Sequence, residues 1–586
     1  MPSSIKKILR EPLFYLLPLL AVAYLIVTSA HLNISDARII RNNQIEYIKL
    51  PHSANMGANE TFFVSFNLRK NNKTTKFTII PDDCIQEILV NGEKIPLNGV
   101  KGLCDYFNGA KFDFSKYVKE GLNHFELQMR NNGGPGGLRI EAPYNGFQSI
   151  SFMHVAFTFL LLLSTALILR KFNFRVIAIF IILIGITLRL ILYTYTGPIQ
   201  YVYDIGGHLH YIQVIAEEKR IPKIDEGWGT YQPPSYYIAS AAIKNFIDNY
   251  SHALSNRILQ QFNLLLSFAS IVLGVALIIS LLGNRWPAYL AALVSVSWPG
   301  FVLAAPRINN DSLFYFGALF CMFFAQRYWQ THKNSYVLLA SAGVATALAA
   351  KSNGLVIFGT WAIIYILGSL RFGKINSLRT LFLSISMIAV SIGFSNYRTA
   401  IDVFEGKKSE FVGNIDGLDK ALIVNNTAGN YLYFDLRDYM LVPYANSRND
   451  AGGRQYFWNF ALKTSLFGEF NLWDSPTGRV LAIILSVLAL LIFGLALWGI
   501  IHIQVKEYPS LLFVVFLFVA LIYLRISYPY ACSNDFRYIM PVLFPLAYFS
   551  MRGAQILLNS RIRKLSYIIL LSFPCLSFAF IVGRAF

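Results

Sequence analysis

The sequence predicts a polytopic α-helical membrane protein of about 13 transmembrane helices, with an external β-sandwich domain near its N-terminus. Three observations predict it. The 586 residues are 55% hydrophobic and only 14% charged, against about 25% charged in soluble globular chains. The apolar residues gather in runs long enough to cross a bilayer, which takes roughly 20 residues. One stretch, 31–149, breaks this pattern with Asn, Gly and Lys among alternating apolar residues.

Spans are expected at 12–30, 150–169, 176–196, 257–282, 287–305, 313–329, 335–350, 354–370, 378–397, 479–501, 510–530, 537–551 and 565–583, none holding Asp or Glu. The net charge of +19 is arranged by side. With the N-terminus inside, alternation puts 170–175, 283–286, 327–334, 371–379, 502–508 and 552–564 inside as well. With the tail these segments hold 17 Lys and Arg against two acids, Glu11 and Glu507. That is the positive-inside pattern of a membrane protein. It accounts for most of the excess charge, so the basic balance does not point to nucleic acid.

The first span, 1–30 with its basic tail, reads as an uncleaved anchor. Its apolar stretch exceeds the about 7–15 residues of a signal peptide. Cys321 and Cys575 fall in spans and read as small apolar residues. Cys532 sits at the outer end of a span, and Cys84 and Cys104 share the first external segment, where a disulfide is chemically permitted.

Within 31–149, Phe62–Leu68 and Lys76–Ile80 alternate like half-buried strands, and Asn123–Met129 reads as another. Asn91-Gly92 is a hairpin-turn signal between Ile88–Val90 and Lys94-Ile95. Leu89-Val90-Asn91-Gly92-Glu93, Phe112-Asp113-Phe114-Ser115 and Lys119-Glu120-Gly121-Leu122-Asn123 follow one another as in the jelly-roll, sugar-binding-like domains attached to glycoside hydrolases. The stretch resembles such a domain over most of 60–140. The matching motifs are turns and strand edges, so they speak for a fold and not for a sugar site.

Two further segments are expected outside, 197–256 and 398–478. The first is the more informative. Tyr203-Asp204-Ile205-Gly206-Gly207-His208-Leu209-His210-Tyr211 opens an amphipathic helix to about Lys219, and Gly227–Tyr237 follows with Trp228, Tyr231, Gln232, Pro233-Pro234 and Tyr236. Segment 236–247 is apolar but too short to span, so it should lie along the interface. Asp204 is either a helix cap or a catalytic carboxylate, and Gly206-Gly207 leave room for a substrate beside it. A second acid, Asp311, follows Arg307-Ile308-Asn309-Asn310 on the same side, where it too reads as a cap or a functional group. Lys351 and Arg537 stand at outer helix junctions. Arg189 and Arg525 lie within spans, where an arginine is either functional or snorkels to the headgroups.

In this order the residues resemble the GT-C superfamily of polyprenyl-phosphate-sugar-dependent glycosyltransferases, in its protein O-mannosyltransferase and lipid A aminoarabinose transferase branch. The family has an Asp just outside an early span, an interfacial helix, then a Pro-Pro-aromatic string. Here these are Asp204, 205–219 and Pro233-Pro234-Ser235-Tyr236-Tyr237. Its second acid matches Arg307…Asn310-Asp311. Its "TK-x-x-G" segment matches Ala350-Lys351-Ser352-Asn353-Gly354, with Ala for Thr. Its "D-x-R-Y-x-x-P" string matches Asp535, Arg537, Tyr538 and Pro541. The resemblance spans roughly 176–550. Two departures are a span and a β-domain ahead of the usual first span, and Ile205 where an acidic or basic neighbour usually follows the first Asp.

The resemblance implies a GT-C-like catalytic domain over 150–586 in a bacterial inner membrane, with the active site external. It implies a lipid-linked sugar donor whose tail stays among membrane lipids, and an acceptor hydroxyl on a lipid, glycan or protein. Lys351, Arg537 and Arg307 would hold the donor phosphate. Asp204 would be the general base, facing the acceptor from the side opposite Lys351 and Arg537, with Asp311 as supporting acid. His208, Tyr231, Gln232 and Tyr236 would contact substrate, and 398–478 would cover them. No cofactor is required by this branch, while Asp204, His208, His210 and Asp311 keep a divalent metal open. The rival reading is a transporter or flippase of a glycan or lipid. Such carriers usually hold polar residues near the midplane on broken helices within repeats, and neither acidic spans nor a repeat is visible here.

Overall fold

The computed structural model describes residues 33–141 and 175–585, apart from 42–43, 49, 51, 56–58, 71–74, 83, 106–108, 133–134, 197–200, 249–254, 407–419, 449–452 and 474. The expected spans at 12–30 and 150–169 lie outside the described residues. The chain divides into two compact units, Met1–Leu163 and Ser164–Phe586.

In the first unit the alternating segments form strands β1 (Asn33–Arg41), β2 (Gln44–Tyr47), β3 (His52–Asn55), β4 (Thr61–Lys70), β5 (Lys76–Pro81), β6 (Cys84–Val90), β7 (Glu93–Lys94), β8 (Ala110–Asp113), β9 (Gly121–Arg130) and β10 (Pro135–Glu141). They make a six-stranded sheet, β2-β1-β4-β9-β6-β7, and a four-stranded one, β3-β10-β5-β8, with every pairing antiparallel. The period-two pattern sends one face of each sheet into a shared core. There Phe66 and Phe125 stack at 5.1 Å, and Phe77 of the other sheet meets Phe114 at 4.4 Å. Asn91 and Gly92 both take positive φ, at 53° and 81°, as a tight turn between β6 and β7 requires. Cys84 is disulfide-bonded to Cys104.

The second unit holds α1 (Val176–Tyr195), α2 (Ile205–Glu218), α3 (Ser235–Asp248), α4 (Ser255–Leu282), α5 (Trp286–Val296), α6 (Pro299–Ala304), α7 (Asp311–Thr331), α8 (Asn334–Ala350), α9 (Gly354–Phe372) and α10 (Leu378–Phe404). It continues with α11 (Ala428–Leu432), α12 (Leu436–Leu441), α13 (Phe457–Phe467), α14 (Pro476–Ile501), α15 (Tyr508–Ser527), α16 (Leu543–Ile556) and α17 (Ser560–Ala585). Among the described residues, seven segments, 176–193, 256–282, 354–372, 378–402, 476–501, 505–527 and 560–583, are long and apolar enough to cross a membrane. The unit is therefore built as an integral membrane protein.

Two expected spans are interrupted. The run at 287–305 breaks between α5 and α6, because Pro299 has no N–H to donate and disfavours helical geometry at Trp298. The run at 537–551 begins as a 3-10 turn, Phe536–Val542, that contains Pro541, before α16 starts. The segment 398–478 contains α13, which is buried along its length.

Both intramembrane arginines are buried within the protein and do not snorkel. Arg189 is fully buried and donates to Ser267 Oγ at 2.9 Å and to the carbonyls of Gly185 and Val296 at 3.0 and 2.8 Å. Arg525 is equally buried and donates to the carbonyls of Tyr530 and Arg454. Arg189 thereby serves carbonyls at the break between α5 and α6, and both guanidiniums are satisfied inside the protein.

Helices α2 and α3 form as the amphipathic pattern predicts and pack on each other. The rings of Tyr211 and Tyr237 stack at 3.9 Å, within an apolar cluster that also takes Ile212, Ala216, Leu259 and Ile308.

Candidate functional site

Four segments far apart in the chain meet at helix ends. Tyr203 and Asp204 precede α2, Arg307 to Asp311 lead into α7, Lys351 closes α8, and Asp535 to Tyr538 lie at the turn before α16. Backbone and side-chain bonds fasten them together. Asn310 Nδ2 donates to the Ala350 carbonyl at 2.8 Å and to Gln232 Oε1 at 3.2 Å. Tyr315 Oη donates to the Arg537 carbonyl at 2.8 Å, and Asn353 Nδ2 to the Tyr538 carbonyl at 3.3 Å.

Asp204 sits at the N-cap position of α2 with φ 52°, a left-handed conformation that Asp tolerates better than most residues. Its side chain makes no capping bond. One carboxylate oxygen accepts from the Trp228 indole at 2.9 Å, and the other lies 3.9 Å from Arg537 Nη2. The side chain is 45% exposed. Asp204 therefore stands beside Arg537, and the expectation that it faces away from that cation is corrected. Gly206 is open, but a Cβ on Gly207 would come within 2.9 Å of the Gly229 backbone. Gly207 thus serves close packing of α2 against the 227–230 turn and leaves no space for substrate.

Asp311 does not cap α7 either. It is buried and ion-paired to Lys351, and accepts from Asn309 Nδ2 at 3.3 Å. Burial alone would raise its pKa, yet Lys351 and Arg537 outweigh that and hold the carboxyl below the usual range. The Lys351 ammonium also lies 4.8 Å from the centre of the Tyr538 ring.

Arg537 is packed on the Tyr203 ring, its guanidinium carbon 3.9 Å from the centroid, with Asp535 Oδ2 3.6 Å from Nε. Arg307 approaches the same ring at 5.1 Å and Phe470 at 5.0 Å. Nε and Nη2 of Arg307 are buried without a hydrogen-bond partner. Gly468, at φ 64°, makes this crowding feasible, since a Cβ there would come within 2.6 Å of Tyr203 Oη. The next residue, Glu469, donates its backbone N–H to Tyr203 Oη at 2.9 Å. Burial, reinforced by Asp535, pushes the Glu469 carboxyl up to about 7, and burial also raises Asp535.

His208 is buried one turn into α2, with Nδ1 2.8 Å from the Tyr237 hydroxyl. Burial lowers its pKa to about 4 although Asp204 and Asp311 pull the other way, so the imidazole is neutral at pH 7. Tyr231 is close enough to feel the charges of Asp204, Arg537 and Asp311. Gln232 braces Asn310 with its side chain. Tyr236 stands apart: its hydroxyl accepts from Asn263 Nδ2 at 2.8 Å inside the α2–α3–α4 core. His210 is also apart, its Nε2 donating to the Glu226 carbonyl at 3.2 Å. Among the described residues no group of three or more His, Cys, Asp or Glu is arranged to hold a metal ion.

Reading the sequence alone leaves Tyr203, Trp228, Glu469 and Arg398 without roles. Arg398, in the last turns of α10, reaches across to the 222–232 turn. It donates to the carbonyls of Pro222, Thr230 and Gln232 at 2.7, 2.8 and 2.8 Å, and to Tyr211 Oη at 2.7 Å. The only sequence signal for it is a basic residue at the end of a span.

No family model and no curated protein matches this chain. Among solved structures it is similar to ArnT from Cupriavidus metallidurans bound to undecaprenyl phosphate, at 13% identity over 64% of this chain and 81% of that one, with a TM-score of 0.33. It is similar to the same protein in the apo state at 13% identity, over 63% and 76% of the two chains, with a TM-score of 0.32.

Proposed function

We propose that the chain is a membrane glycosyltransferase that moves a sugar from a polyprenyl-phosphate donor to an acceptor hydroxyl at the outer face. The observation that carries this reading is the meeting of Asp204 with Arg537, Arg307 and the Asp311–Lys351 pair at the ends of apolar helices. A lipid-linked donor keeps its tail in the bilayer and its phosphate at the interface, which is where fixed cations and a base are needed. A midplane carrier site would lie within the spans instead.

The chemistry follows from the charges. The acceptor hydroxyl gives its proton to the Asp204 carboxylate as its oxygen bonds to the anomeric carbon. The bond from that carbon to the phosphate oxygen breaks, and its electron pair leaves with the phosphate. Attack from the face opposite the phosphate inverts the anomeric centre. Arg537, and the unfilled N–H groups of Arg307, stabilise the charge that develops on the phosphate. Asp311 fixes Lys351, while neutral His208 and Tyr231 line the sugar side.

The test is to incubate purified protein in nanodiscs with radiolabelled polyprenyl-phosphate sugars and membrane extracts. Transfer of label to an acceptor, lost in Asp204→Asn, is expected. Transmembrane movement of an intact lipid-linked sugar with no transfer would favour the carrier reading.

A further inference from the structure

We infer that residues 428–442 form an element immersed among the acyl chains of the bilayer, although they lie in a stretch that sequence places outside it. The inference does not depend on the proposed activity. It rests on how deep this segment is anchored, how its backbone is satisfied, and which side chains it leaves uncovered.

Depth comes from two contacts with candidate spans and one just ahead of a span. Asn426 Nδ2 donates to the carbonyl of Ile526, in the last turn of α15. Further along, Tyr439 Oη donates to the carbonyl of Ser486 at 3.1 Å. Ser486 is the eleventh of the 26 residues of α14, about 15 Å from its first residue at about 1.5 Å per residue. Helix α12 itself packs against α14. Then Tyr444 Oη donates to the Trp473 carbonyl, just ahead of α14. The chain thus descends from the end of one span toward the middle of another and returns. The ring of Trp458, which follows in α13, meets Phe518 at 6.0 Å, also midway along its helix.

Backbone at membrane depth must find its partners within the protein. The break between α11 and α12 does so. Trp458 Nε1 donates to the Tyr431 carbonyl at 3.0 Å, and Asn459 both accepts from the Asp435 N–H at 2.9 Å and donates to its carbonyl at 2.7 Å. Of the segment's two acids, Asp438 is held through Oδ2 by Lys463 Nζ at 2.7 Å and Asn459 Nδ2 at 3.0 Å, and Asp435 accepts from the Asp438 N–H at 2.9 Å. Buried pairing of this kind is what a carboxylate at such depth requires.

The opposite side is apolar and bare. Leu432 is 87% exposed, and Leu436, Leu441 and Val442 are exposed beside it. A patch like this is costly in water, and at the depth of Ser486 acyl chains are the surroundings that suit it. Arg437, which is also exposed, has a long side chain that can carry its charge toward the headgroups.

The experiment attaches a nitroxide at Leu432→Cys, Leu436→Cys and Leu441→Cys, one at a time, with Cys321, Cys532 and Cys575 changed to Ser, in nanodiscs. Collision with oxygen and with a water-soluble nickel chelate is measured by electron paramagnetic resonance. Leu497→Cys on the exposed side of α14 is the lipid reference and Asn425→Cys the aqueous one. The three labels are expected to favour oxygen as Leu497→Cys does. Nickel access like that of Asn425→Cys, or low access to both reagents, would overturn the inference. A photoactivatable phospholipid on the unmodified protein gives an independent reading: cross-links on the 428–442 peptide support it, and cross-links confined to α14 and α15 refute it.

Discussion

Lys351 and Asp311 form an ion pair that is almost wholly removed from solvent where α7 begins and α8 ends. Removing one member strands the other charge, which costs about 3–5 kcal/mol in buried pairs. Lys351→Ala is therefore expected to lower the unfolding temperature as well as abolish transfer. The double variant Lys351→Met, Asp311→Asn should recover much of the stability and none of the activity. Thermal unfolding followed by tryptophan emission, beside the transfer assay, separates the two. A stable and active Lys351→Ala would remove this pair from the site.

Asp204→Asn keeps the left-handed backbone and an oxygen for the Trp228 indole, so the variant should fold normally. Losing the base is expected to cost about 10²–10⁴ in turnover, with donor binding little changed. The product should carry the inverted anomeric configuration, read by nuclear magnetic resonance. Retained configuration would sink the single-displacement mechanism even if turnover fell.

Arg398 touches neither charged centre, but the turn it fastens carries Trp228 toward Asp204 and Gln232 toward Asn310. A lysine has one ammonium where the guanidinium fork serves four acceptors. Arg398→Lys is expected to lower kcat by roughly 10–100-fold, the loss of one or two charge-assisted bonds. Donor KM should change far less, because the phosphate cations are untouched. Full rescue by lysine would show that only a positive charge is needed there.

Glu469 supplies a pH dependence. Its folded pKa of about 7 lies above the ordinary carboxylate value, mainly through burial. The folded protein therefore binds this proton more tightly than the unfolded chain. Its contribution is fully present below the ordinary carboxylate pKa and is lost as pH rises through about 7. Between pH 5 and 8 the wild type should lose about 1–3 kcal/mol relative to Glu469→Gln. Parallel melting curves of the two proteins over that range would contradict the assignment.

Much of this was legible before any coordinates. The apolar runs became helices because a period-free stretch of some twenty apolar residues has few alternatives, and 62–68, 76–80 and 123–129 became strands because alternation allows one face to be buried. Asp204, Asp311, Arg307, Lys351 and Arg537 could be picked out as charges at span ends, and the fold brings them into one cluster. Breaks at Trp298 and Phe536 were hidden because hydropathy averages over a proline. Tyr236 was misleading: an aromatic beside Pro233-Pro234 looks the same whether it turns toward a substrate or toward Asn263. Arg398 and Glu469 were invisible because their importance lies in partners more than 150 residues away, Thr230 for the one and Tyr203 for the other.

Arg189 has a consequence for how the protein is made. Its partners Ser267, Val296 and Phe301 are synthesised 78, 107 and 112 residues after it. At about 5–20 residues per second, α1 exists for roughly 5–20 seconds before the groups that satisfy its arginine emerge. During that interval the guanidinium has only the Gly185 carbonyl of its own helix, and in lipid it opposes integration. Helix α1 should therefore linger in the translocation channel or at its lateral gate until α4 and α5 arrive, and the three should leave together. Exchanging Arg189 for leucine would release α1 early, then leave the Val296 carbonyl without a donor in the finished protein. Ease of insertion and soundness of the final bundle pull in opposite directions at this one position.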